Sequence, residues 1–241
     1  IKNVVFSPDR KYIIYNDSCD LFCFNRETGK RSFVAADAAA VSFTDGGLIT
    51  LSSTYGVLLC DYVTGESETL VETPENGYIG YVLPSNDGTR LAYTVLYDDA
   101  GVTLARAICV TVPGADDVIS YTPYQIGKST LAIPVPLAWT ADDSGLIFSY
   151  GQTGGTSQLY SFQIIEGEPV TFAKKALSLR SGAELEVSGN REMAAAAMIQ
   201  IPGDDYDTVA VLNLTEEKYV FLPSGGLGIA GFDISSDGER I

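Results

Sequence analysis

The sequence predicts an all-β fold: a β-propeller of four-stranded antiparallel blades, with five complete repeats and a partial sixth in this chain. Three observations carry that prediction. One pattern recurs six times: an apolar run, a small hydroxyl residue, an Asp-centred tight turn, and a second apolar run. The anchors are Ser7-Pro8-Asp9-Arg10, Thr44-Asp45-Gly46, Ser85-Asn86-Asp87-Gly88, Thr140-Ala141-Asp142-Asp143, Ser188-Gly189-Asn190-Arg191 and Ser235-Ser236-Asp237-Gly238. Their separations of 37, 41, 55, 48 and 47 residues match the length of one blade. The composition agrees: 241 residues, 46% hydrophobic, with 24 Gly and 14 Tyr, are enough chain to bury a sizeable core.

Aligning the repeats divides a single domain, 1–241, into blades near 1–36, 37–75, 76–122, 136–176 and 180–225, with a partial blade at 229–241. In the first blade the strands are Asn3 to Ser7, Lys11 to Asn16, Asp20 to Asn25 and Arg31 to Ala35, and Thr28-Gly29 closes the last hairpin. The third strand recurs as Val57 to Tyr62 before Thr64-Gly65, and as Ala107 to Thr111 before Pro113-Gly114. It recurs again as Gln158 to Phe162 before Glu166-Gly167, and as Thr208 to Asn213 before Thr215-Glu216, where the Gly is lost. Asp and Asn accept local amide hydrogen bonds, and Gly takes the positive φ that two-residue hairpin turns require. These residues therefore read as turn chemistry rather than catalysis. Thr122 to Pro136, with Pro123, Pro134 and Pro136, is long and Pro-rich and reads as an inserted surface loop. Met193 to Ile201 is the most apolar run; it ends at Pro202 and reads as a buried strand despite its Ala tetrad. No run approaches transmembrane length, so membrane insertion by this segment is not expected. An open propeller leaves a blade edge uncovered, so we expect a parent of six to eight blades with further residues at one or both ends.

The repeats resemble the WD40-like repeats of TolB-type β-propellers, whose blades carry a Ser-Pro-Asp-Gly turn, then an apolar strand and a later Asp- or Thr-Gly-containing hairpin. Ser7-Pro8-Asp9-Arg10 is the nearest copy, and Asn190 and Arg191 replace Asp and Gly in the fifth repeat. The resemblance spans the chain at the level of fold. It implies a protein-interaction platform, although many functions share such folds.

Charge narrows the partners. Fifteen Lys plus Arg against 31 Asp plus Glu give a formal net charge of −16, a field that repels phosphate backbones and anionic lipid. Nucleic acid is disfavoured as a partner. The Tyr-, Thr- and Ser-rich sequence with few Lys, together with the resemblance, favours an extracytoplasmic location, with a cytoplasmic scaffold as the alternative.

Cys23, Cys60 and Cys109 align at one position in the third strand of three consecutive blades, which predicts small buried residues and little native thiol reactivity. Equivalent positions in neighbouring blades lie about 10 Å apart, beyond the roughly 7 Å that a disulfide allows. Cys19 and Cys23 span about 13 Å on an extended strand.

There is no histidine, which excludes Ser-His-Asp and Cys-His nucleophile systems and His-ligated zinc, copper and haem. Carboxylate chemistry remains, with Glu184, Glu186 and Asp233 as the acids nearest the inner strands. Sialidase-type repeats do not match, because Asp87-Gly88 and Asp237-Gly238 are adjacent and the single Trp, Trp139, precedes its turn.

In a propeller, the connections between second and third strands share a face with the blade-to-blade crossovers. Three such connections, Tyr97 to Gly101, Gly151 to Ser157 and Pro202 to Asp207, belong to consecutive blades. With the inserted loop around Tyr124 they predict a recognition rim whose candidate binding residues are Tyr97, Asp98, Asp99, Tyr124, Gln152, Asp204, Asp205, Tyr206 and Asp207. No cofactor or metal site is expected. The aspartates of this rim permit calcium, but the alternating Asp pattern with a distal Glu is absent. The resulting expectation is a non-catalytic protein- or peptide-binding module of a larger bacterial protein. The alternative is a carbohydrate-binding or carbohydrate-active propeller using carboxylates in its central channel.

Overall fold

The computed structural model describes residues 2–44, 46–99, 102–113, 118–121, 132–152, 156–164, 169–171, 178–180, 185–188, 192–198, 208–213, 216, 218–222, 233–235 and 237–241. All regular elements among the described residues are strands. The first meander runs β1 (Lys2–Phe6), β2 (Tyr12–Asp17), β3 (Asp20–Asn25) and β4 (Arg31–Ala35), each pairing antiparallel with the next. The second is β5 (Ala38–Thr44), β6 (Gly47–Ser52), β7 (Gly56–Cys60) and β8 (Ser67–Val71). The third is β9 (Gly77–Pro84), β10 (Leu91–Asp99), β11 (Val102–Thr111) and β12 (Val118–Tyr121).

Beyond these, β13 (Ala132–Trp139), β14 (Gly145–Gln152), β15 (Thr156–Gln163) and β16 (Pro169–Thr171) form a fourth meander. The strands β18 (Leu185–Val187), β19 (Met193–Met198), β20 (Thr208–Asn213) and β21 (Lys218–Leu222) form a further one. A short strand, β17 (Ser178–Arg180), pairs with both β15 and β19 and joins the last two meanders into one nine-stranded sheet.

Sheets stack face to face, and the layers between them are the core. Ile14, Leu21, Cys23 and Val34 of the first sheet meet Ala38, Leu48, Leu58 and Cys60 of the second. Ile49 and Val57 meet Ile79, Leu91, Tyr93 and Cys109 in the next layer, and Ala92, Ile108 and Val110 meet Trp139, Leu146 and Phe148 in the one after. A second strand is thus covered on both faces, and this explains apolar runs such as Leu146-Ile147-Phe148, where all three side chains are 0% exposed. Successive first strands, β1, β5, β9 and β13, neighbour one another, which places them around the inner axis.

The recurring turns have one hydrogen-bond plan. The Ser85 hydroxyl donates to Asp87 Oδ1 at 2.7 Å and accepts the Arg90 amide at 2.9 Å. Ser7 with Asp9 and Tyr12, Thr140 with Asp142 and Gly145, and Ser235 with Asp237 and Arg240 repeat it. The amide of the fourth turn residue closes on the hydroxyl residue's carbonyl, at 2.8 Å for Arg10 and 3.0 Å for Gly88. At Thr44, which pairs with Gly47, only two residues intervene, whereas at these positions the connection is a four-residue turn. Its fourth residue has positive φ whether or not it is Gly: 58° at Arg10, 72° at Gly88, 57° at Asp143 and 75° at Gly238.

Three sequence expectations need correction. The stretch read as a loop to Pro136 is strand from Ala132 onward, with Pro134 opposite Tyr150 and Pro136 opposite Phe148. Proline is tolerated because β13 is an edge strand whose outward amides carry no ladder bond. Tyr97, Asp98 and Asp99 are ladder residues opposite Leu104, Thr103 and Val102, not loop residues, because β10 and β11 extend as one long hairpin. The three aligned cysteines do not share a position: Cys23 lies opposite Ile14, Cys60 opposite Leu48 and Cys109 opposite Tyr93. Cys23 and Cys60 even enter the same core layer from opposite sheets. None of the four cysteines is in a disulfide; Cys19 is exposed, and burial pushes the Cys23 and Cys60 thiols up in pKa.

Candidate functional site

The first strands β1, β5, β9 and β13 each carry a register shift: between Lys2 and Val5, at Val41, at Gly80 and at Leu137. A bulge adds a residue to one strand and re-aims its neighbours. In β5 it leaves Val41 unpaired and puts Ser42 opposite Ile49, so both lie on the side facing the third sheet. The inner ends of β5 and β9 then part around a cavity of about 500 Å³. Its wall is Val41 to Thr44, Val82 to Gly88, and Trp139 from the end of β13. Val41, Phe43, Val82 and Leu83 are half-buried, while Asn86 and Asp87 stand exposed at the rim.

Trp139 is 1% exposed and held on several sides. Its indole Nε1 donates to the Leu83 carbonyl at 3.1 Å, and the Arg90 guanidinium lies 5.0 Å from its ring centroid. Arg90 also donates to the Asp143 carbonyl. The Asp143 carboxylate, in a residue only 5% exposed, accepts the amides of Asn86 and Asp87, each at 3.0 Å. An anion on two successive amides is a charge-assisted contact. Here it clasps the turn of the third meander to the turn of the fourth, and Asn86 Nδ2 adds a bond to the Thr140 carbonyl at 2.8 Å. The cavity wall is thus built across a sheet-to-sheet junction.

The turn carboxylates are electrostatically distinct from ordinary surface acids. Hydrogen bonds from Ser85 and from the amide and hydroxyl of Thr89 lower Asp87 to about 2, and bonds from Ser144 and Thr140 lower Asp142 to about 2. Asp9, Asp61 and Asp237 are lowered for the same reason, donors aimed at the carboxylate. A carboxylate whose folded pKa lies below its unfolded value contributes stability that is present above the unfolded value. That contribution is lost as pH falls through the folded one. We expect the stability advantage of the wild type over Asp87→Asn and Asp142→Asn, measured by urea unfolding, to be constant above pH 5. It should shrink from about pH 4 and vanish near pH 2; an advantage unchanged at pH 2 would refute the assignment.

The residues singled out from sequence are distributed differently. Tyr97 is half-buried in β10, Asp98 and Asp99 follow it at the strand end, and Gln152 ends β14 opposite Ala132. Tyr124, Asp204, Asp205, Tyr206, Asp207 and Glu184 lie outside the described residues. Glu186 is in β18, and Asp233 is exposed with its Oδ1 accepting the Ile234 amide. None of the described ones among them lines the cavity. Sequence reasoning missed the cavity, because it forms where the ends of β5, β9 and β13 from three repeats meet, and no local spacing marks that meeting. Among the described residues no group of three or more Cys, Asp or Glu is arranged to hold a metal ion.

Inner first strands, stacked four-stranded sheets and a cavity between first-strand ends are the anatomy of a β-propeller. Solved structures, TolB proteins among them, share this propeller fold. The oligogalacturonate lyase in complex with manganese matches with a TM-score of 0.69 and 10% identity, over 97% of this chain and 67% of the lyase. TolB from Acinetobacter baumannii matches with a TM-score of 0.52 and 17% identity, over 92% of this chain and 54% of its own. A TolB-like protein from Agrobacterium tumefaciens gives 0.55 and 13%, over 90% of this chain and 78% of its own. At these identities the likeness is one of fold. No protein-family model matches the chain, and no curated protein does. No helix among the described residues is long and apolar enough to cross a membrane.

Proposed function

We propose that this chain is a non-catalytic protein- or peptide-binding propeller module, a sensory or interaction domain of a larger bacterial, extracytoplasmic protein. The observation that carries the proposal is the cavity between β5, β9 and Trp139. Its wall offers apolar side chains beside hydroxyl and amide groups, the mixture that recognises an extended segment. Its polar groups are largely spent on the fold: Ser85 on Asp87, Asn86 on Thr140 and Trp139 on Leu83. That is the economy of a binding surface rather than of a reacting centre. The rim around the second-to-third-strand connections, with Asp98 and Asp99 at the end of β10 and Asp204, Asp205 and Asp207 from the sequence expectation, is the second surface in the proposal.

The likeness to a lyase favours one other reading, a carbohydrate-binding or carbohydrate-active propeller. It would work through channel acids such as Glu184, Glu186 and Asp233.

Affinity capture separates these readings, with the wild type, Val41→Glu and the pair Asp98→Asn, Asp99→Asn as baits of matched melting temperature. A stoichiometric protein lost only with Val41→Glu supports the cavity; one lost only with the Asp pair supports the rim. Retention of no protein, together with a melting shift in oligogalacturonate, would overturn the proposal in favour of the carbohydrate reading.

A further inference from the structure

We infer that the cavity accepts a basic side chain, a lysine or arginine presented by an extended partner segment; this rests on the peptide-binding reading above. Among the described residues, twelve line the cavity, and Asp87 is the one ionisable side chain among those twelve. Its hydrogen bonds all fall on Oδ1, from Ser85 Oγ at 2.7 Å, the Thr89 amide at 2.9 Å and Thr89 Oγ1 at 2.8 Å. No described residue donates to Oδ2. The neighbouring cation, Arg90, attracts Asp87 by its charge but donates its hydrogen bond elsewhere, to the Asp143 carbonyl, with its guanidinium over Trp139. The wall thus ends in a carboxylate oxygen open to an incoming donor. Inward of it, half-buried Val41, Val82 and Leu83 present apolar surface.

Lysine and arginine match both halves at once. Their methylene stems lie along apolar surface while the charged head reaches a polar group. An ammonium or guanidinium on a carboxylate makes the stronger, charge-assisted kind of hydrogen bond. An acidic side chain would meet repulsion at Asp87, and a purely aliphatic one would bury the carboxylate against carbon without a partner. The net charge of −16 also steers basic segments towards this chain.

The test is selection of displayed dodecapeptides on the wild-type domain, followed by titration of the enriched peptide with Trp139 fluorescence as the readout. Trp139 is the single tryptophan and lies on the cavity wall. We expect one position enriched in Lys or Arg, and a five- to tenfold loss of affinity when that residue becomes norleucine. Asp87→Asn should cause a similar loss, and the norleucine peptide should bind wild type and Asp87→Asn alike. Should Asp87→Asn fold poorly, the norleucine comparison on wild type decides. Peptides that perturb Trp139 without a basic residue, or with no norleucine penalty, would overturn the inference while leaving peptide binding intact. Selected peptides that bind without perturbing Trp139 would overturn the cavity as their site, and failure of the selection to enrich any binding peptide would overturn the peptide-binding reading itself.

Discussion

Trp139→Ala should lower the unfolding free energy by about 4 kcal/mol, within the range of large-to-small core substitutions of aromatic residues. The side chain is 1% exposed and packs with Ala92, Ile108, Val110, Leu146 and Phe148 between the third and fourth sheets. Truncation removes that packing, leaves a void, orphans the Leu83 carbonyl that Nε1 now satisfies, and takes away the ring beneath Arg90. Trp139→Phe keeps most of the packing and loses the hydrogen bond, so it should cost about half as much. Urea unfolding followed by far-ultraviolet circular dichroism measures both. A loss of under about 1.5 kcal/mol in the Ala variant would mean that the junction of these sheets does not depend on this side chain.

Asp143→Ala should cost about 3 kcal/mol, because it strips the partner from the Asn86 and Asp87 amides and places Ala at a φ of 57°. Asp143→Gly separates the two contributions: it removes the carboxylate but accepts the positive φ, so its loss should be smaller by about 1 kcal/mol. Asn retains one acceptor oxygen and should be milder than either. Hydrogen exchange gives a local readout. In the Ala variant the Asn86 and Asp87 amides should exchange faster at the clasp while the amides of β10 and β14 remain protected. Uniform acceleration across all of them would show that the clasp has no local role and that only global stability changed.

These two residues show where sequence reading stops. Asp142 and Asp143 are adjacent in one turn, yet the first caps its own turn through Thr140 and Ser144 and the second reaches a different sheet. Local spacing foretells the first contact, since a hydroxyl two residues before an Asp meets it in any such turn. The second depends on two turns more than fifty residues apart arriving within 3.0 Å. The cysteines make the same point. Their alignment by repeat ignored that the Thr44 turn is two residues shorter than the Ser7 turn and that the next connection, 53–55, is one residue longer than 18–19; the net shift of one residue moves a side chain to the other face of its sheet. Cys23 and Cys60 therefore enter one layer from opposite sides.

The sequence by itself determined the fold class, because the spacing of hydroxyl-Asp turns and the apolar runs between them are local properties of the chain. It also determined the boundaries of strands such as β3, β4 and β20, where turn residues leave no freedom. Tertiary structure alone decided the cavity, the open oxygen of Asp87 and the clasp at Asp143. Each arises from bulges and from the stacking of sheets distant in sequence, and such registers are set by packing between faces rather than by the pattern along any one strand.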